Sequence, residues 1–201
     1  MKAEIELEHQ AREAPLKIAH TDKNVIEILT GKLHTIFSNV APQREVVVVC
    51  IGTDRSTGDS LGPLVGSYLQ KNSQLACPTY GTVDHPVHAI NLEETLNEIY
   101  RDFHQPFIVG VDACLGQLSS VGCIQVGYGP VRPGAGVNKQ LPPVGDIHVT
   151  GIVNVGGFME YFVLQNTRLS LVMKMAEIIS RSLYLSLLFS NRNRSLISMI
   201  D

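Results

Sequence analysis

The run REVVVVCIG, residues 44–52, constrains the fold of this chain more than any other stretch. Its apolar residues are consecutive and almost all β-branched, so the segment has no polar face. Such a run reads as a strand covered on both sides. A second run, QPFIVGVDACLG (105–116), repeats the pattern, a buried apolar strand ending at Asp112. Shorter strands are expected at CPTYGTV (77–83), VGCIQVGYG (121–129) and IHVTGIVNVGG (147–157).

Helical spacing alternates with these strands. In DKNVIEILTGKLHTIFSN (22–39), Val25, Ile28, Leu29, Leu33, Ile36 and Phe37 recur with a helical period. GDSLGPLVGSYLQKN reads as a helix starting at Asp59 or Ser60, with Pro63 in its first turn, where a missing N–H costs little. NLEETLNEIYRDF (91–103) reads as a helix capped by Asn91, with Glu94 completing a capping-box-like start. One short and one long helix follow residue 157. Strands alternating with helices predict an α/β fold with a mostly parallel sheet and helices on both faces. Residues 1–21 are expected to be a loosely ordered N-terminal segment, and 22–201 one domain.

Net charge is -3 and tryptophan is absent, which gives no footprint for nucleic acid. The apolar stretch 167–190 is interrupted by Lys174, Glu177 and Arg181, so it reads as a buried C-terminal helix rather than a membrane span. A second subunit covering part of that helix would make a homo-oligomer. The four cysteines form no CxxC pair, and the start of the chain has no secretory pattern, so a reduced, cytoplasmic protein is expected.

The loop after the first strand, GTDRSTGDSLGP, invites comparison with a phosphate-binding loop. A Walker loop needs Lys after its second glycine. Here Asp59 follows Gly58, and a carboxylate repels phosphate. The GxGxxG spacing is absent too. A carboxylate site fits better, because ligands in open α/β sheets bind beyond the carboxyl ends of strands. Asp59 follows the first strand and Asp112 ends the second. If the strands are neighbours, both acids open into one crevice. Two carboxylates sharing a site cannot both ionise cheaply, so one pKa rises. One can then activate water while the other donates a proton to a scissile amide. The rival readings are a helix cap for Asp59 and a turn cap for Asp112.

Other residues are candidates around this pair. Arg55 and Thr57 share the Asp59 loop and can contact a substrate backbone; Arg55 near Asp59 would lower its pKa. Gly134, Gly136, Asn138 and Lys139 lie in the Gly/Pro-rich loop 131–146, which can offer N–H groups to an oxyanion. His85 and His88, with Asp84 beside them, are a weak metal pair without an obvious third ligand. His148 sits alone on a strand. Cys114 reads as core. No cofactor or metal is expected.

VVVVCIGTDRSTGDSLGPLVG, FIVGVDACLG and RPGAGVNK, with HAINLEETL and GDIHVTGIVNVGGFMEYFVLQNTRL, together resemble the YyaC-type sporulation proteins of spore-forming bacteria. More distantly, TGDSLGP, VDACL and RPGAGVNK are similar to segments of the germination protease, an atypical aspartic endopeptidase that degrades small acid-soluble spore proteins. Its two proposed catalytic aspartates fall on Asp59 and Asp112. The wider group includes the hydrogenase-maturation endopeptidases, whose phosphorylase/hydrolase-like fold is a three-layer αβα sandwich. The resemblance implies that fold, a protein or peptide substrate such as a spore protein, and a place in the forespore or spore interior. It also implies a protease, or a non-catalytic binding protein on the same scaffold. Two departures stand out. The maturation enzymes hold nickel through two acids and a histidine, and residues 128–140 here contain no histidine. The germination protease is also much longer and is made as a zymogen.

Overall fold

The computed structural model describes residues 14–71, 77–134 and 141–197. β1 (Leu16–Ala19) leads to α1 (Val25–Ser38), β2 (Val46–Cys50), a 3-10 turn at Gly58–Ser60, α2 (Leu61–Lys71) and the short β3 (Thr79–Tyr80). Next come α3 (Leu92–Asp102), β4 (Phe107–Gly116), a second 3-10 turn at Leu118–Ser120, β5 (Cys123–Tyr128) and β6 (Ile147–Val155). α4 (Glu160–Gln165) and α5 (Leu169–Ile197) follow.

The six strands form one sheet in the order β1-β5-β6-β4-β2-β3. β2 runs parallel to β3 and β4, and β4 runs parallel to β6. β5 is antiparallel to both β6 and β1. The expected mostly parallel sheet is therefore corrected to a mixed one. The link between β4 and β5, residues 117–122, explains why. A parallel return needs a crossover of about a dozen residues or more, so β5 must come back antiparallel. It does not pair with β4, because β6 arrives later in the chain and fills the slot between them.

Helices lie on both faces of the sheet. Val48, Val109, Val111 and Val149 belong to the same buried cluster as Phe37 of α1, Leu61 of α2 and Met175 of α5. Val47, Val49 and Ile108 belong to a second cluster with Leu92, Leu96 and Ile99 of α3. β2 is thus covered on both sides, as its unbroken run requires. Val47, Val48 and Val49 are each 0% exposed, and burying a side chain of this size contributes about 1.5–3 kcal/mol.

α5 buries Val172, Ala176, Ile179, Leu183 and Leu187 in the chain's own core. Among the described residues no helix is long and apolar enough to cross a membrane. The N-terminal expectation is corrected in part. Leu16–Ala19, placed in the loosely ordered segment, form an edge strand on β5. Of this short strand only Ile18 is buried, so the sequence carries little periodic signal.

Candidate active site

The loop from Ile51 to Ser60 is folded tightly over the end of β2. Ile51 N–H donates to the Val111 carbonyl at 2.7 Å and Gly52 N–H to the Val87 carbonyl at 2.8 Å. Gly52 has φ +146, and a Cβ there would lie 1.9 Å from the Asp59 carbonyl oxygen. Only glycine allows the chain to fold back so closely. The closure is held by Thr53 N–H donating to that oxygen at 3.1 Å. Gly62 lets α2 press on the strand end, since its Cβ would meet the Ile51 oxygen at 2.1 Å. These contacts place Asp59 above the carboxyl end of β2.

Asp112 lies on the neighbouring strand. β2 and β4 pair with Cys50 opposite Val111, so Asp112 is the first residue of β4 past the end of β2. The expectation that it ends its strand is corrected: β4 continues to Gly116, and Asp112 pairs with Thr150. The polar residue looked like a terminus, but β6 supplies partners beyond it. Alternation puts Asp112 on the sheet face shared by Ile108 and Gly110.

The charge of Asp59 acts on Asp112. Burial raises the Asp112 pKa well above the usual carboxylate range, its bond from Ala113 N–H lowers it, and the Asp59 charge raises it further. That N–H donates to Asp112 Oδ1 at 2.8 Å. Burial also raises the Asp59 pKa, and the nearby Ser56 hydroxyl tempers the rise. The helix-cap rival fails in the described hydrogen bonds. The turn at Gly58–Ser60 has no side-chain cap, and neither residue 61 nor 62 donates its N–H to Asp59 among the described bonds. The turn-cap rival for Asp112 fails because the residue lies within a paired strand.

The flanking candidates separate. Arg55 is exposed and turns to Thr53, its Nε donating to Thr53 Oγ1 at 3.4 Å. It does not lower the Asp59 pKa, whose shift comes from burial and Ser56; that expectation is corrected. Thr57 stays beside the site, its carbonyl accepting from Ser60 Oγ at 2.7 Å. Gly134 is described, with φ +105; Gly136, Asn138 and Lys139 lie outside the described residues. Both ends of their loop are pinned by Val131 and Val144, whose N–H groups each donate to the other's carbonyl at 2.9 Å. This pair covers Gly110, whose Cβ would lie 2.6 Å from the Val144 oxygen. The base of the loop, which joins β5 to β6, therefore rests on β4 two residues before Asp112, on the same face.

The histidines lie apart from the pair. His148 Nδ1 is 3.0 Å from the Gly129 carbonyl, and its ring lies against Gly127 of β5, away from β4. His85 and His88 line a cavity of about 480 Å³ with Asp84, Tyr80 and Glu98. Neither Asp59 nor Asp112 lines it, nor a second cavity of about 560 Å³ bounded by Glu27, His34 and Arg181. Among the described residues no three His, Cys, Asp or Glu side chains group as a metal-holding set. Asn91, expected to cap α3, makes no side-chain cap. Its Oδ1 instead accepts from His88 N–H at 2.8 Å, which shapes the His85–His88 loop.

Three residues near the pair, Ser56, Cys114 and Thr150, were not singled out as site candidates by the sequence or were given another role. Ser56, three residues before Asp59, is buried. Cys114, expected as core, is half-buried. Its thiol is pushed up to about 11 by burial, lowered by the Thr150 hydroxyl and raised by Asp112. A Ser three residues before Asp59 and a Thr in an apolar strand are common residue types, so only the closed loop reveals the first and strand register the second.

A family model described as a protein of unknown function (DUF1256) matches residues 17–182. The chain belongs to that family. The match runs from β1 into α5 and includes both aspartates. Within the same likeness, the uncharacterized protein YyaC of Bacillus subtilis (strain 168) is 53% identical over 173 residues, covering 84% of this chain and 82% of that protein.

Proposed function

We propose that this DUF1256 member is an endopeptidase that hydrolyses a peptide bond with an aspartate pair, acting on a spore protein in the forespore or spore interior. The observation that carries the reading is the electrostatic coupling of Asp59 to a buried Asp112 beyond the end of β2. Helices on both faces of the sheet agree with the αβα sandwich of the maturation endopeptidases.

Two acids with raised pKa values hold one proton between them over a wide pH range. Asp59, less strongly shifted, is the ionised member. It takes a proton from water as the water oxygen attacks the amide carbon. Asp112, protonated, first supports the forming oxyanion by hydrogen bonding. The leaving nitrogen then receives a proton from the pair as the C–N bond breaks, and the carboxyl product and amine depart. General acid–base catalysis of this kind contributes about 10²–10⁴-fold in rate. The mechanism uses no metal.

Purified protein incubated with spore-protein extract and a chelator is expected to generate new peptide termini, read by mass spectrometry. Asp59→Asn and Asp112→Asn should each lower the rate at least about 100-fold while leaving the folded circular dichroism spectrum intact. Wild-type turnover in both folded variants would overturn the mechanism.

A second reading, a binding protein without catalysis, is favoured by the exposed aromatics near the pair. Phe158, 90% exposed, with Tyr161 and Phe162, belongs to the segment around α4. α4 packs on the Asp59 turn through Leu164, which lies against Gly58. Retention of a spore protein by both Asn variants, with no new termini from any form, would favour this reading.

A further inference from the structure

α1 and α5 cover the sheet face opposite the one that carries Asp112. The cavity of about 560 Å³ lies between them, within the range of roughly 300–1,000 Å³ usual for small-ligand sites. One wall is α1, with Lys23 just before it; the other is Arg181, Leu185 and Phe189 of α5. Space is open at Gly31 of α1, where an added Cβ would meet nothing within 4 Å.

The polar groups of this cavity are not used up by the fold. Thr30 lines it and is 9% exposed, yet its Oγ1 has no hydrogen-bond partner among the described residues. Leaving a buried hydroxyl unpaired costs about 1–3 kcal/mol, so such a group needs an explanation. His34, also in the lining, is oriented by a relay. A serine hydroxyl has one hydrogen. Ser190 Oγ gives it to the Ser186 carbonyl at 2.9 Å. At its 3.2 Å contact with His34 Nδ1 the serine oxygen must therefore accept and the imidazole donate. Nδ1 carries the proton, and Nε2 is the ring nitrogen left free. Phe189 holds the ring edge-on, with centroids 6.3 Å apart. Lys23 and Arg181 make no ion pair among the described residues. Glu27 is the one acid in the lining, so two cations and one acid leave the cavity with one net positive charge, in a chain whose own net charge is -3.

We propose that the α1–α5 cavity binds a small amphipathic monoanion, a carboxylate on an apolar chain. Arg181 and Lys23 hold the carboxylate, and Ile26, Leu185 and Phe189 surround the apolar body. His34, once protonated at Nε2, donates to the same head group without giving up Ser190. Glu27 repels a second negative charge, which selects against a phosphate monoester. The site is separate from the aspartate pair and owes nothing to peptide cleavage.

The test adds decanoate to the full chain and follows the His34 ring signals by NMR. A saturable shift with one-to-one stoichiometry is expected. Arg181→Gln should weaken binding about tenfold, the loss of one hydrogen bond to a charged group. Gly31→Leu puts a bulky apolar side chain into the open space and should abolish binding. Decanol and decyl phosphate should each bind at least about tenfold more weakly than decanoate. No saturable shift with decanoate overturns the proposal. So does decanol binding as tightly, which would make the cavity a plain apolar cleft. Decyl phosphate binding as tightly overturns it too, by removing Glu27 from recognition. Binding that persists unchanged in folded Gly31→Leu would place the ligand elsewhere and has the same consequence. Where Gly31→Leu fails to fold, the exposed Arg181 carries the test, and unchanged affinity in Arg181→Gln overturns the proposal.

Discussion

Asp112 links the candidate chemistry to stability. Its pKa in the folded protein is raised from an ordinary value of 3.8. A raised group stabilises the fold fully below its unfolded pKa, and that contribution is lost as pH rises through the folded value. Wild-type unfolding free energy should therefore fall as pH climbs from about 4. In Asp112→Asn part of that fall should vanish, leaving the variant at least as stable as wild type at neutral pH. Urea titrations at several pH values measure it, and identical pH slopes in the two proteins would show that the Asp112 carboxyl is not shifted. Asp59 is raised in the same direction and contributes a smaller slope of the same sign.

At the scale of elements, the site depends on how closely α2 and its preceding turn approach β2. Gly62→Ala would drive a methyl to 2.1 Å from the Ile51 oxygen. It should cost about 3 kcal/mol, the upper end of ordinary overpacking. Gly31, inside α1, has nothing within 4 Å of where an alanine methyl would sit. Gly31→Ala should instead stabilise by about 0.5–1 kcal/mol, through helix propensity alone. Chemical denaturation separates the two, and a mild effect at Gly62 would mean that α2 can slide. The elements themselves were largely legible. β2 and β4 announced themselves as unbroken apolar runs, and α1 and α3 as periodic ones. β1 was not legible, because LKIA is only four residues long and buries one of them. The short link to β4 made the direction of β5 legible, but not that β6 would come between them. Asp59 stood out because it replaced the lysine of a phosphate loop. Ser56 did not, because its burial depends on how the loop closes.

At the scale of the whole molecule, the sheet is held together by a strand that arrives late. The pairs β1–β5 and β3–β2–β4 are joined through β6, which lies between β5 and β4. A chain ending at residue 146 should lack a cooperative thermal transition and should aggregate through the two open edges. A native-like melt of that fragment would contradict the dependence on β6. The order of synthesis gives this arrangement a further meaning. Both aspartates leave the ribosome well before Ile147–Val155, the strand that completes the sheet around Asp112. A nascent chain therefore carries both acids without the frame that couples them, and the site comes into being only once that later strand has emerged.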